Sequence, residues 1–285
     1  MASLKDLRRR IRATKSMQQI FKAMEMVAAA KLRRAHQRAT ASGPYSKKIS
    51  AMLANLSGAA AELEHPLFKA REVHKTALVL ITADRGFAGT YNTAVLRMAE
   101  HRLKSEPAGS VTTVVVGRKG RDYLRRRGYP VLAAYTDLPG EASIELARQI
   151  TGDLTELFLK GEVDRVEIMY THYVNAIVRK VTTETFLPIG ADKGADGPSD
   201  AGAIFEPNAE AIFAELLPRY ATAKLYAAMA DSLASEHSAR MVAMGSARKN
   251  AGELVDSLTL TRNRLRQAAI TREISELVGG AEALK

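Results

Sequence analysis

The sequence predicts an α plus α/β fold, in which long N- and C-terminal helices lie together as an antiparallel coiled coil and a small α/β domain is inserted between them. Three observations predict it. Apolar residues recur at steps of three and four over residues 4–35, and again from Pro207 almost to Val278. Between these ends the period changes to β-favouring runs that alternate with helical stretches, the pattern of a largely parallel sheet with helices packed on it. Residues 191–203 are rich in Gly, Asp, Ser and Pro, which marks a surface linker before the second long helix. The expected division is residues 1–58, 74–190 and 206–280.

The N-terminal helix follows from Leu4, Leu7, Ile11, Met17, Ile20, Phe21, Met24, Val27, Leu32 and Ala35. Its interior is built of good helix formers and has no proline before Pro44. Ser3 with Asp6 three residues on forms a capping-box-like start. Ser42-Gly43-Pro44 predicts a break or kink, and Ser57-Gly58 an end. In the middle, Thr76–Thr82 is a continuous apolar run typical of a strand buried on both faces. A helix near Tyr91–Lys104 follows, then a strand over Val111–Val116, helices over Arg118–Arg127 and Ser143–Lys160, and strands over Val163–Tyr173 and Ala176–Pro188.

The C-terminal helix opens at Glu206-Pro207-Asn208, with proline suited to a first helical position. Leu254, Leu258, Thr261, Leu265 and Ala268 follow a 4-3-4-3 spacing that predicts a coiled-coil seam. Pro218 predicts a kink and Gly279-Gly280 an end. A helix of this length needs a partner along its apolar stripe, and the N-terminal helix is the comparable one. The C-terminal helix is the longer of the two, so its tip should project past its partner.

Composition excludes several chemistries. Cysteine is absent, so disulfides, thiol catalysis and Cys-ligated zinc are excluded. The start has no apolar signal core, so secretion is not expected, and no apolar run is long enough to span a bilayer. The net charge of +11 is concentrated. Residues 1–50 hold 13 of the 42 Lys and Arg and 2 of the 31 Asp and Glu, which leaves 29 of each elsewhere. Such a basic arm suits nucleic acid, anionic lipid or an acidic protein surface. Apolar residues thread Arg8-Arg9-Arg10-Ile11-Arg12 at helical spacing and no aromatics interleave to stack on bases, which favours the basic face of a coiled coil, solvated or turned to a protein. A basic coiled-coil nucleic-acid-binding protein remains the alternative.

Active-site signals are weak. Asp84-Arg85-Gly86-Phe87-Ala88-Gly89 follows a strand but lacks the third glycine of a dinucleotide fingerprint. Gly117-Arg118-Lys119-Gly120 lacks the Lys-Ser/Thr pair of a phosphate loop. Both read as structural turns, and Arg85 as a charged contact for a partner. No two of the six histidines share the i, i+4 spacing of a zinc pair, and there is no Gly-x-Ser-x-Gly elbow. An enzyme built on the α/β domain is a third reading. No catalytic residue, metal or cofactor is expected. Ala23–Ala30 and Met241–Met244 are dense in Ala and Met, which permits close helix approach and adaptable contacts.

Four blocks resemble the gamma subunit family of ATP synthases. These are Lys22–Lys31, Thr82–Gly86 with Gly89, Ser235–Met244 and Asn263–Thr271, in the family's order over nearly the whole chain. The resemblance implies a coiled-coil shaft with a Rossmann-like domain inserted between its helices. It implies a shaft inside a hexamer of alpha and beta subunits, with a foot on a c ring beside an epsilon subunit. Ion flow would turn the ring and the shaft, and so couple translocation to ATP chemistry at the beta subunits. No nucleic acid and no direct membrane insertion are implied. By matched position Met24, Arg240, Arg266, Gln267, Thr271 and Glu273 fall at coupling or beta-subunit contacts. Asp84, Arg85 and Gly86 form a central loop, and Phe205 and Glu206 face the c ring. The C-terminal tip around Ile270, Ile274 and Leu277 would sit in an apolar bearing. The lack of a transit peptide suggests a bacterial protein at the cytoplasmic face of the plasma membrane. Two departures stand out: Ala88 replaces a Cys often seen in the central loop, and Gly245–Asn250 differs from the usual Lys- and Thr-Asp-containing stretch.

Overall fold

A computed structural model of the chain describes the backbone of residues 3–62, 65–190 and 209–282, with side chains undescribed at 39, 41–47, 50–62, 209–211 and 281–282. The elements run α1 (Leu4–Glu62), β1 (Thr76–Ile81), α2 (Tyr91–Ser105), β2 (Val111–Val116), α3 (Arg118–Arg126), β3 (Val131–Tyr135), α4 (Ile144–Leu159), β4 (Arg165–Tyr173), β5 (Arg179–Leu187) and α5 (Ala209–Glu282). They form two compact units, Met1–Ala28 with Met241–Lys285, and Ala29–Arg240.

The first unit is a pair of antiparallel helices. α1 opens with a reciprocal cap, in which Asp6 N–H donates to Ser3 Oγ at 3.1 Å and Ser3 N–H to Asp6 Oδ2 at 3.2 Å. These bonds hold the Asp6 carboxyl below its usual range. Leu4, Leu7, Ile11, Thr14, Gln18, Phe21, Glu25 and Ala28 are all buried or half-buried, at an unbroken 3-4-3-4 spacing. The facing seam of α5 is Ala251, Val255, Leu258, Arg262, Leu265 and Ala269. Two contacts show the antiparallel sense. Gln18 lies over Gly252, where a Cβ would stand 2.9 Å from Gln18 Nε2. Seven residues later on α1 and seven earlier on α5, Glu25 lies over Gly245 and pairs with Arg248 at 2.8 Å.

Only two members of the predicted α5 seam, Leu258 and Leu265, lie in the actual one. Leu254 is 49% exposed, and Thr261 and Ala268 are also exposed. On α1, Met17, Ile20 and Val27 of the predicted stripe face outward. The seam mixes apolar residues with Thr14, Gln18, Glu25 and Arg262, so apolar spacing alone does not mark the face that turns inward. Every α5 residue from Ile270 to Gly280 is exposed, beyond the reach of a partner helix that starts at Leu4.

The second unit is a five-stranded sheet in the order β3-β2-β1-β4-β5. The first four of these strands run parallel, and β5 returns antiparallel to β4 through a hairpin. Asn175 Oδ1 accepts from the Ile177 and Val178 amides at 2.9 and 2.8 Å, which tightens that hairpin. One sheet face packs against α4, α5 and Ile49 of α1, with Phe158, Phe213, Leu217 and Leu225 almost fully buried. The other packs against α2 and α3 through Val95, Ala99 and Leu124.

Several expected boundaries change. α1 is helical through Ser42-Gly43-Pro44, with buried Ile49 anchoring the stretch beyond the proline. α5 continues through Pro218, which is flanked by Leu217 and Ala221 in the core, and through Gly279-Gly280. A proline inside a helix costs about 3 kcal/mol, which core packing around Pro218 can offset, whereas each exposed glycine at 279 and 280 costs only about 1 kcal/mol relative to alanine and need not end the helix. β3 was not expected. It is a half-exposed edge strand with two alanines, so it lacks the apolar, β-branched run of a central strand. The expected start at Glu206 lies outside the described residues.

Candidate functional site

The candidate site forms where the loops at the carboxyl ends of the strands meet α5. Parallel sheets of this strand order bind ligands in the crevice at that end. Here the chain's own groups occupy it. Thr82 follows β1, and its hydroxyl donates to Val116 O and accepts from Gly120 N–H, both at 3.0 Å. The next two N-terminal amides of α3 are also satisfied: Arg118 N–H by Asp84 Oδ1 at 2.7 Å and Lys119 N–H by Ala83 O at 3.0 Å. A helix N-terminus that could hold a phosphate is thereby filled with protein acceptors. Gly117 has φ +104°, and a Cβ there would lie 2.2 Å from Thr82 O, so glycine is required for the close approach of this turn. The Gly117–Gly120 turn is thus held by acceptors of its own chain.

Asp84 ties the loops together. Its second oxygen accepts from Leu138 N–H at 2.6 Å, which joins the β1–α2 loop to the β3–α4 loop. Beyond it the chain rises to an exposed tip. Arg85 is exposed, and Phe87 is 71% exposed with φ +60°, a left-handed conformation unusual for a bulky residue. Gly86 lies between them, and its carbonyl accepts from Arg240 of α5 through Nη2 at 3.2 Å and Nε at 3.4 Å.

Arg240 is the hub of the site. Nη2 also donates to Glu236 Oε1 at 2.5 Å, and Nη1 lies 3.3 Å from His237 Nδ1. One turn earlier on α5, Ser232 Oγ meets Tyr91 OH at 2.8 Å. Ala83, Ala88, Tyr91 and Ala239 pack around these groups. Burial raises the Glu236 carboxyl despite the opposing pull of Arg240. Burial also pushes the Tyr91 phenol up. His237 is lowered to about 4, first by burial and then by Arg240 and Lys31, against a hydrogen bond to the Gly140 backbone. The imidazole is therefore neutral near pH 7 and accepts from Arg240.

The predicted site residues separate. Asp84, Arg85, Gly86 and Arg240 come together in this site. Met24 is half-buried beside the α1 seam, while Arg266, Gln267, Thr271 and Glu273 are exposed on α5. Phe205 and Glu206 lie outside the described residues. Glu236 and His237 fall in the Ser235–Met244 block but are not expected site residues, and neither are Tyr91 and Ser232. Their signal is Ser232, Glu236 and Arg240 at i, i+4 and i+8, a polar row down one side of the helix. Among the described residues no group of three or more His, Asp and Glu could hold a metal, and no helix is long and apolar enough to cross a membrane.

Comparison with known proteins places this geometry. Residues 3–284 match the ATP synthase family model. The chain is 44% identical to the ATP synthase gamma chain of Heliobacterium modesticaldum over 292 residues, covering 100% of both chains. It is 45% identical to that of Moorella thermoacetica over 285 residues, again covering 100% of both. Among solved structures it is similar to a chain of the Euglena gracilis mitochondrial ATP synthase (OSCP/F1/c-ring) at TM-score 0.70 and 20% identity, covering 99% of this chain and 94% of that one. It is also similar to a chain of the Tetrahymena thermophila mitochondrial ATP synthase central stalk and c ring at TM-score 0.65 and 24% identity, covering 80% and 99%. With a family model spanning nearly the whole chain and full-length relatives above 40% identity, this protein belongs to the ATP synthase gamma chain family.

Proposed function

We propose that this chain is the central rotor shaft of an F-type ATP synthase. It turns with the c ring and couples proton or sodium translocation to ATP synthesis and hydrolysis at the beta-subunit sites. Full-length identity to gamma chains is the observation that carries the reading. The α5 segment Ile270–Gly280 supports it, because an exposed helix end bearing Ile270, Ile274, Leu277 and Val278 suits an apolar bearing.

In this reading residues 1–58 and 206–280 form the shaft and residues 74–190 the inserted domain. The shaft enters a hexamer of alpha and beta subunits, and the foot meets the epsilon subunit and the c ring. Each beta site differs in nucleotide affinity because the shaft offers each a different face, a bias exerted through differential contacts. Met24, Arg266, Gln267, Thr271 and Glu273 serve as beta-facing contacts, with the Arg266 fork suited to a carboxylate. Phe205 and Glu206 face the c ring. The chain performs no catalysis itself and works at the cytoplasmic face of a bacterial plasma membrane, held there through the complex.

Co-expression with alpha and beta subunits tests this. The expected result is a co-purifying complex that hydrolyses ATP, with no turnover by the pure chain. Robust hydrolysis by the chain alone, or failure to co-purify, refutes the reading.

A further inference from the structure

A small cavity of roughly 90 Å³ opens between α1, α5 and the β3–α4 loop. Lys31, Arg34 and Arg38 stand at i, i+3 and i+7 on one face of α1 and line it. Residues 139–142 of the loop also line it, and the buried Ala35, Ala230 and His237 close it toward the interior. Gly140 adds no side chain here. A Cβ on it would stand 3.8 Å from Lys31 Nζ, so the ammonium lies close over the loop.

The charges around this cavity do not balance. Glu141 is the one carboxylate among the residues that line it, and it pairs with Arg38. Arg38 holds that carboxyl below its usual range, with smaller pulls from Arg34 and Lys31. Among the described residues, no carboxylate lies within ion-pair distance of Lys31 or Arg34. His237 adds no counter-charge, because burial, Arg240 and Lys31 keep its imidazole neutral. Three cations against one carboxylate leave two uncompensated positive charges at a recess whose inner wall is mostly apolar, where a field is focused rather than screened.

We propose that this cavity binds inorganic phosphate as its dianion, with Lys31 and Arg34 as the binding cations. Two uncompensated positive charges match the charge of the dianion. The Arg34 fork can meet two phosphate oxygens at once, while Lys31 supplies a point charge. The volume, equal to that of a few waters, takes a tetrahedral oxyanion and excludes a nucleoside. Bound there, phosphate ties α1 to the β3–α4 loop and stabilises their packing. The inference stands apart from the rotor reading, since it needs no partner subunit.

The test titrates inorganic phosphate into the full chain at constant ionic strength and mildly alkaline pH, with binding read by calorimetry and by melting temperature. The expected Kd is on the order of 1 mM, the strength of two or three charge-assisted hydrogen bonds at a partly exposed site. At about ten times that concentration, phosphate should raise the melting temperature by about 2–4 °C relative to chloride. Lys31→Gln with Arg34→Gln should weaken binding by about ten-fold or more. Arg9→Gln with Arg12→Gln removes exposed cations elsewhere on α1 and should leave binding unchanged. Ala142→Leu fills the cavity with every charge kept and should abolish binding. Equal losses in the two double variants, or binding that survives Ala142→Leu, show general attraction to a basic helix and overturn the proposal. No saturable binding by about 10 mM phosphate overturns it as well. ADP binding more tightly than phosphate overturns it in favour of a nucleotide, and an acidic peptide binding more tightly overturns it in favour of a protein carboxylate.

Discussion

His237 is held neutral inside the site, and this has a consequence for stability. Its folded pKa is lowered to about 4 from an ordinary 6.5 by burial, Arg240 and Lys31. Between those values the unfolded chain binds more protons than the folded one, so stability rises with pH. The contribution is fully present above about pH 6.5 and is lost as pH falls toward 4. Melting temperature measured from pH 7 to pH 4 should therefore fall more steeply in the wild type than in His237→Gln, whose amide can accept from Arg240 without titrating. Parallel curves would contradict this. The same residue explains part of what the sequence conceals. Histidine spacing excludes a zinc pair, but nothing local says that this imidazole bridges Arg240 and the Gly140 backbone.

At the scale of elements, two glycines differ in kind. A Cβ at Gly117 would stand 2.2 Å from the backbone oxygen of Thr82, at φ +104°, where neither side can give. Gly117→Ala should cost about 3 kcal/mol, from strain and a forced separation of α3 from β1. A Cβ at Gly252 would meet only Gln18 Nε2, the free end of a flexible side chain. Gly252→Ala should hold within about 1 kcal/mol of wild type on the stabilising side, because helix propensity favours alanine by that amount. Urea titration of the two variants checks both values. Within Gly245–Asn250 the bare backbone at Gly245 faces the Glu25 carboxylate, which Arg248 pairs. That pair is partly exposed and adds little stability, but it favours this register of the two helices.

Across the whole molecule, charge and exposed apolar surface are distributed unevenly. The basic excess of residues 1–50 lies on α1, where Arg8, Arg9, Arg10 and Arg12 are exposed. Ile274 and Leu277 on α5 are 55% and 73% exposed and contribute no core packing in this chain. Ile274→Ser with Leu277→Ser should leave the melting temperature of the isolated chain unchanged, as surface changes usually stay within about 0.5 kcal/mol. The same pair should weaken assembly with alpha and beta subunits, read as a lower yield of co-purified complex. A large drop in melting temperature would show that the tip packs on its own chain.

Much of this architecture is legible from local pattern. The two terminal helices, four of the five strands and the concentrated charge all follow from residue type and spacing, because helix period and β-branching act over a few residues, while the expected linker at 191–203 lies outside the described residues. The choice of helix face is different. On α1 two apolar rows run close together, and only the partner decides that Leu7 and Ile11 go inward while Ile20 and Val27 stay out. The site depends still more on tertiary structure. Arg240 meets Gly86 across 154 residues of sequence, a contact with no local signature because it exists only after the sheet, its loops and α5 have packed.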